Sequence, residues 1–252
     1  LIISSTSNPA VRDFRSLLNR REREQTGRFL IEGVEEVGRA IRAGIEVEEI
    51  LVAESFQDRI PLDWPHRLVS DAVMEKLSYR GAVVAKAAMF PVGLDRIPVV
   101  ENPLFLLAEG IEKPGNLGAM LRTADAVGAA VIVCDPDVDV FNPNVVRASL
   151  GSLFTTPLAV SDAAAVIAWS NSHALRIVVA AVDAEASFWE IDMSGPVAIV
   201  VGSERMGVSR SWRDAGQIVR IPMSGEVNSL NASVSAAVLL FEALRQRSMG
   251  GA

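Results

Sequence analysis

Apolar residues along this chain follow two rhythms. In some stretches they recur every three or four positions, and in others they run unbroken for about five, which separates helices from buried strands. Val11, Phe14, Leu17 and Leu18 form one face behind Ser7-Asn8-Pro9, with proline near the first helical position, and Gly27 supplies a stop. This predicts a helix reaching from Pro9 to Gly27. Phe29-Leu30-Ile31 reads as a strand, 34–43 as a helix stopped by Gly44, 47–53 as a strand, 69–77 as a short helix and 83–90 as a strand. Pro91, Gly93, Pro98 and Pro103 then mark a linker, placed at 93–100. It separates a smaller domain, 1–92, from a larger one, 101–252.

Beyond the linker strands and helices alternate. Residues 104–108, 130–134, 177–181, 197–201 and 218–221 read as strands. Helices are expected over 118–127 and 233–247, with a helix or turn over 145–150. The closing helix carries Val234, Val238, Phe241 and Leu244 on one face. This alternation predicts an α/β fold with a parallel sheet covered on both sides.

Composition narrows the class. Half of the 252 residues are hydrophobic and 22% are charged, which excludes a disordered chain. A single cysteine, Cys134, and two histidines, His66 and His173, leave no disulfide and no zinc-ligand spacing, so no metal is expected. No apolar run approaches the length of a membrane span, and the N-terminus has no signal-peptide core. A reduced, cytoplasmic α/β protein without membrane attachment is expected. The numbering, which does not open on Met, is expected to begin inside a longer chain.

The net charge of −7 argues at first against an acidic partner such as nucleic acid. Its distribution changes that. Residues 1–30 hold six arginines against three acids, a balance of +3, while 31–100 and 101–252 balance to −4 and −6. Six cations that are all arginine suit bidentate contacts to phosphate, although a solvated, salt-bridged helix would look the same.

Three glycine-rich polar clusters fall at the expected carboxyl ends of strands, where open parallel sheets bind ligands. They are 108–118 running into a helix with Arg122, then 200–208 with Glu204, and then 221–233 with Ser229 and Asn231. Neither GxGxxG nor a Walker-type Gly-Lys-Ser/Thr is present, which disfavours a dinucleotide or nucleoside-triphosphate enzyme. Asn116 and Arg122 can present amide and guanidinium donors from one helix, while Asn116 or Ser233 could equally be plain helix caps.

The clusters NLGAMLRTADAVGA (116–129), VVGSERMG (200–207) and IPMSGEVNSLNASVSAA (221–237), with RASLGSLFTTP (147–157) between them, resemble the motifs of the SpoU (TrmH) branch of the SPOUT methyltransferases. The first hundred residues resemble that family's accessory RNA-binding domain, through STSNPAVRDFRSLL (5–18) and GRFLIEG (27–33). Lys113 departs from the pattern, in which many relatives have Asp before the proline.

The resemblance implies a C-terminal SPOUT domain closed by a trefoil knot, which periodicity alone would never suggest. It implies transfer of a methyl group from S-adenosylmethionine to a ribose 2′-hydroxyl in RNA, foremost large-subunit ribosomal RNA, by a homodimer with its site at the subunit interface. It places catalysis on Arg122, Asn116, Glu204, Ser229 and Asn231. The cofactor falls to Ala180, Ala181, Val182, Gly202, Ile221, Met223, Leu230 and Ala232, and RNA contact to Arg20, Arg21, Arg23, Arg28 and Arg147. The rival readings are a transfer-RNA ribose methyltransferase and a non-catalytic RNA-binding or ribosome-assembly factor.

Overall fold

The computed structural model describes residues 2–79, 81–98 and 100–249. Along the first ninety residues run α1 (Pro9–Ser16), α2 (Arg20–Thr26), β1 (Arg28–Glu32), α3 (Val34–Arg42), β2 (Val47–Ala53), β3 (Arg67–Val69), α4 (Asp71–Leu77) and β4 (Val83–Ala88). After them come β5 (Leu104–Glu109), α5 (Pro114–Val127), β6 (Ala130–Cys134), α6 (Pro143–Ser149), β7 (Leu158–Ser161), α7 (Ala163–Ser172) and β8 (Arg176–Ala180). The chain closes with β9 (Val197–Val201), α8 (Arg210–Ala215), β10 (Gln217–Val219) and α9 (Ala232–Met249). Two compact units result: Leu1–Phe90 with Asp139–Thr155, and Pro91–Val138 with Thr156–Ala252.

The first unit is a mixed four-stranded sheet in the order β1-β4-β2-β3, antiparallel except where β2 and β3 pair in parallel. Val11, Phe14 and Leu17 pack with Leu30, Leu51, Val69, Met74 and Val84 into its core. The predicted single helix over 9–27 is two helices. Asn19 interrupts it by capping α2, its side-chain oxygen accepting from the Arg21 N–H at 2.9 Å. The carbonyls of Leu17 and Leu18, left at the end of α1, are taken by the Arg23 guanidinium at 2.8 and 3.1 Å. The predicted helix over 69–77 loses its first residue to β3, because Val69 pairs with Ala53.

Asp139–Thr155, a stretch the motif reading puts in the second domain, packs within this first unit. Phe141 and Phe154 lie 5.0 and 6.2 Å from Phe29, centroid to centroid, and Phe90 lies 5.0 Å from Phe141. Offset and edge-on aromatic contacts at this range add to simple area burial.

The second unit carries a six-stranded sheet, parallel throughout, in the order β10-β8-β9-β5-β6-β7. The central strands β5, β6 and β9 are buried at every position, as continuous apolar runs covered on both faces require. The strand β7 and the helices α7 and α8 are additions to the elements read from sequence. On α9 the buried face is Ala232, Ala236, Leu239, Leu240 and Ala243. The stripe of Val234, Val238, Phe241 and Leu244 lies off that face, with Val234 and Phe241 46% and 51% exposed and Val238 and Leu244 half-buried. The helix is apolar on two sides, so the spacing of its large residues did not reveal which side meets the sheet.

Candidate functional site

The second unit holds a cavity of about 890 Å³ at the carboxyl ends of β8 and β9. Ala180, Ala181 and Val182 form one wall, the turn Gly202–Val208 a second, and the segment leading from β10 into α9 a third. All eight positions assigned to the cofactor line it, namely Ala180, Ala181, Val182, Gly202, Ile221, Met223, Leu230 and Ala232. The local geometry requires glycine at 202. A Cβ there would stand 2.1 Å from the Gly207 carbonyl oxygen, inside the bridge that folds the turn back on itself.

A polar cluster stands beside this cavity. Asn116 lies in the first turn of α5 and is buried, and its side-chain amide donates to Glu204 Oε1. Asn231 Nδ2 lies 3.1 Å from the same Oε1 and 3.1 Å from Asn116 Oδ1. Its own Oδ1 caps α9, accepting from the Ser233 N–H at 2.9 Å and the Ser233 hydroxyl at 2.6 Å. The Lys113 ammonium stands 3.7 Å from Glu204 Oε1. One carboxylate oxygen thus faces two amides and a cation, while Oε2 has no hydrogen bond among the described residues. Ser229 lines the cavity and makes no side-chain hydrogen bond among the described residues.

Arg122 is not brought to this cluster. Six residues past Asn116, it faces about 120° around the helix from it. Asn116 is buried, whereas Arg122 is exposed and makes no ion pair or hydrogen bond among the described residues. The expectation that both present donors toward one point therefore fails within one chain.

Two residues the sequence reading passed over complete the cavity wall. Arg213 Nη1 and Nη2 donate to the two oxygens of Asp183 at 3.1 and 2.7 Å. The guanidinium holds the Asp183 carboxyl below its ordinary range. Thirty positions separate the two, and the packing of α8 against β8 brings them close, so no local pattern announced the pair.

The arginines assigned to RNA divide sharply. Arg23 is 1% exposed. Its Nε and Nη2 bind Asp139 Oδ2 at 2.9 and 2.6 Å, and Nη1 serves the α1 carbonyls. Its donors are spent inside the fold, which corrects its assignment to an RNA surface. Arg20 and Arg21 are exposed, Arg20 pairing with Glu24 at 2.7 Å. Arg28 pairs with Glu48 at 2.6 Å, and Arg147 is half-buried 3.6 Å from Glu32. Among the described residues no group of three or more His, Cys, Asp or Glu side chains could hold a metal ion, and no helix is long and apolar enough to cross a membrane.

Comparison with known proteins places this geometry. Residues 103–241 match the SpoU rRNA methylase family, and residues 8–83 match the MRM3-like substrate binding domain. The 23S rRNA (uridine(2479)-2′-O)-methyltransferase of Streptomyces viridochromogenes is 33% identical over 98% of this chain and 93% of its own length. A crystal structure of an RNA 2′-O ribose methyltransferase is 43% identical, covers 98% of this chain and 100% of its own, and superposes with a TM-score of 0.89. The SpoU methyltransferase AviRb from Streptomyces viridochromogenes, in complex with AdoMet, is 30% identical over 96% of this chain and 98% of its own, with a TM-score of 0.86.

Fold and site define an S-adenosylmethionine-dependent RNA methyltransferase. The chain belongs to the SpoU rRNA methylase family.

The cavity suits that cofactor. Its volume is that of a small-molecule site. Apolar Ala180, Ala181, Ile221 and Leu230 offer a slot for a flat ring. Asp183, Arg213 and Ser229 offer partners for a charged amino-acid tail.

Proposed function

We propose that this chain methylates a ribose 2′-hydroxyl of large-subunit ribosomal RNA and that it does so as a homodimer. The observation that carries the reading is the Asn116–Glu204–Asn231 cluster beside a cavity lined by every residue assigned to the cofactor. S-adenosylmethionine, when bound, supplies an electrophilic methyl carbon and its own leaving group. The protein must hold the ribose oxygen in line with that carbon and assist loss of the hydroxyl proton.

Asn116, Asn231 and Lys113 fix one oxygen of Glu204 and leave Oε2 as an open acceptor. In this reading Oε2 receives a donor from the reacting assembly, either the ribose hydroxyl or the guanidinium that holds it. Arg122 provides that guanidinium, polarising the 2′-oxygen and binding the adjacent phosphate. It stays protonated at working pH, so the proton passes to phosphate or water rather than to Arg122. Ser229 adds a hydroxyl on the cavity wall. The trefoil knot implied by the resemblance belongs to this reading.

The same geometry supports the dimer. Arg122 is exposed and makes no contact with its own chain's cluster, and in this reading a second copy brings a guanidinium to each Glu204. The outward apolar stripe of α9, with Val234 and Phe241, offers a face for that contact. Sedimentation at increasing concentration tests the dimer. Transfer of labelled methyl to 23S rRNA and not to bulk transfer RNA supports the substrate assignment. Transfer to transfer RNA alone overturns it.

A further inference from the structure

Tyr79 is the only tyrosine in the chain, and it is 87% exposed within the first unit. The residue is not loosely placed. Its backbone N–H donates to Glu32 Oε2 at 3.0 Å, and the Ser78 hydroxyl donates to the same oxygen at 3.0 Å. Glu32 is itself buried at the end of β1 and also meets Arg147 Nη1 at 3.6 Å. The Arg147 guanidinium lies 4.7 Å from the Tyr79 ring centroid. A second oxygen holds this arginine, since Arg147 Nη2 donates to Asn144 Oδ1. One buried carboxylate therefore anchors both the backbone that carries the ring and the cation that stacks on it.

We propose that Tyr79 and Arg147 form a stacking platform for an unpaired base of the RNA substrate. The proposal rests on the reading of the chain as an RNA methyltransferase and adds a contact that reads strandedness. A large ring fixed in water, with a cation against it, is the combination that binds single-stranded nucleic acid. The exposed ring takes the face of a base, and the guanidinium adds cation–π attraction and reaches for phosphate. Duplex RNA keeps its base faces stacked internally, so the platform favours loops, bulges and ends. Every base has a π-face, so the contact selects for unpaired structure more than for sequence. The match of residues 8–83 to a substrate binding domain places Tyr79 in the segment where such a contact belongs.

A protein with one tyrosine allows a direct readout. Ring-labelled tyrosine gives a single side-chain resonance set, observed as a short oligoadenylate is added and then as the same strand annealed to oligouridylate. The platform predicts an upfield shift with the single strand and none with the duplex. Tyr79→Ala should weaken oligoadenylate binding about tenfold, with Tyr79→Phe and Tyr79→Trp close to wild type. A resonance that does not move while the oligonucleotide binds overturns the platform alone. So does unchanged affinity in Tyr79→Ala, or a loss in Tyr79→Phe equal to that in Tyr79→Ala. A wild-type protein that binds neither oligonucleotide nor 23S rRNA overturns the RNA reading and the platform with it.

Discussion

Asn231 donates to the side-chain carbonyl of Asn116 across 3.1 Å, although 115 positions separate the two in sequence. The bond ties the cap of the closing helix α9 to the first turn of α5, and both side chains converge on Glu204. Glu204→Gln keeps the shape but turns an acceptor into an amide that must compete with two others. It should fold normally and lose at least tenfold in kcat, with cofactor affinity changed far less. Turnover at the wild-type level would remove Glu204 from the reacting assembly.

Arg122 faces solvent, so truncating it should leave the fold intact. Arg122→Ala should bind cofactor normally and lose about 2–4 kcal/mol of transition-state stabilisation, the range seen when a charge-stabilising donor is removed. Mixing inactive Arg122→Ala with inactive Glu204→Ala chains makes the sharper test. If the site is shared between copies, mixed dimers regain one intact site and activity returns. If each site is built from one chain, the mixture stays inactive.

The arginines of α2 should separate by role. Arg23→Ala leaves the largely buried Asp139 without its cation and the Leu17 and Leu18 carbonyls without their donor, and should cost about 3 kcal/mol of stability in chemical denaturation. Neutralising Arg20 and Arg21 together should leave stability almost unchanged, because their side chains are exposed. That double variant should lower RNA affinity and flatten its dependence on salt.

Cys134 serves as a probe of opening. It is buried in β6, and burial, reinforced by nearby Asp135 and Glu109, pushes its thiol far above the ordinary range. Thiolate is the reactive form. Alkylation at mildly alkaline pH should therefore be negligible for the folded protein and fast in denaturant. Stoichiometric labelling of the native protein would contradict this placement in the core.

The sheet of the second unit was readable because its strands are short apolar runs, such as 130–134, which the structure reproduces residue for residue. The eight cavity residues were placed by motif resemblance alone, since nothing in periodicity says that 180, 202 and 223 line one cavity. Misplaced features have identifiable causes. Arg23 carries the same charge as Arg20 and Arg21, and only the fold reveals that Asp139 waits 116 positions away. Helical spacing on α9 marked two apolar sides without saying which one meets the sheet. Asn116 and Arg122 share a helix but not a face, a fact already contained in the 3.6-residue turn. Lys113 stood out only as a departure from a pattern. Its proximity to Glu204 Oε1 needed the folded chain.

Methyl transfer to a ribose oxygen is read most directly from the product. Purified protein is incubated with methyl-labelled S-adenosylmethionine and 23S rRNA, the RNA is digested to nucleosides, and the labelled product is identified by mass. A single 2′-O-methylated nucleoside is expected, formed about 30- to 1000-fold more slowly when Arg122→Ala replaces the wild type. Label on a base, or no label on RNA from a protein that binds the cofactor, would contradict it.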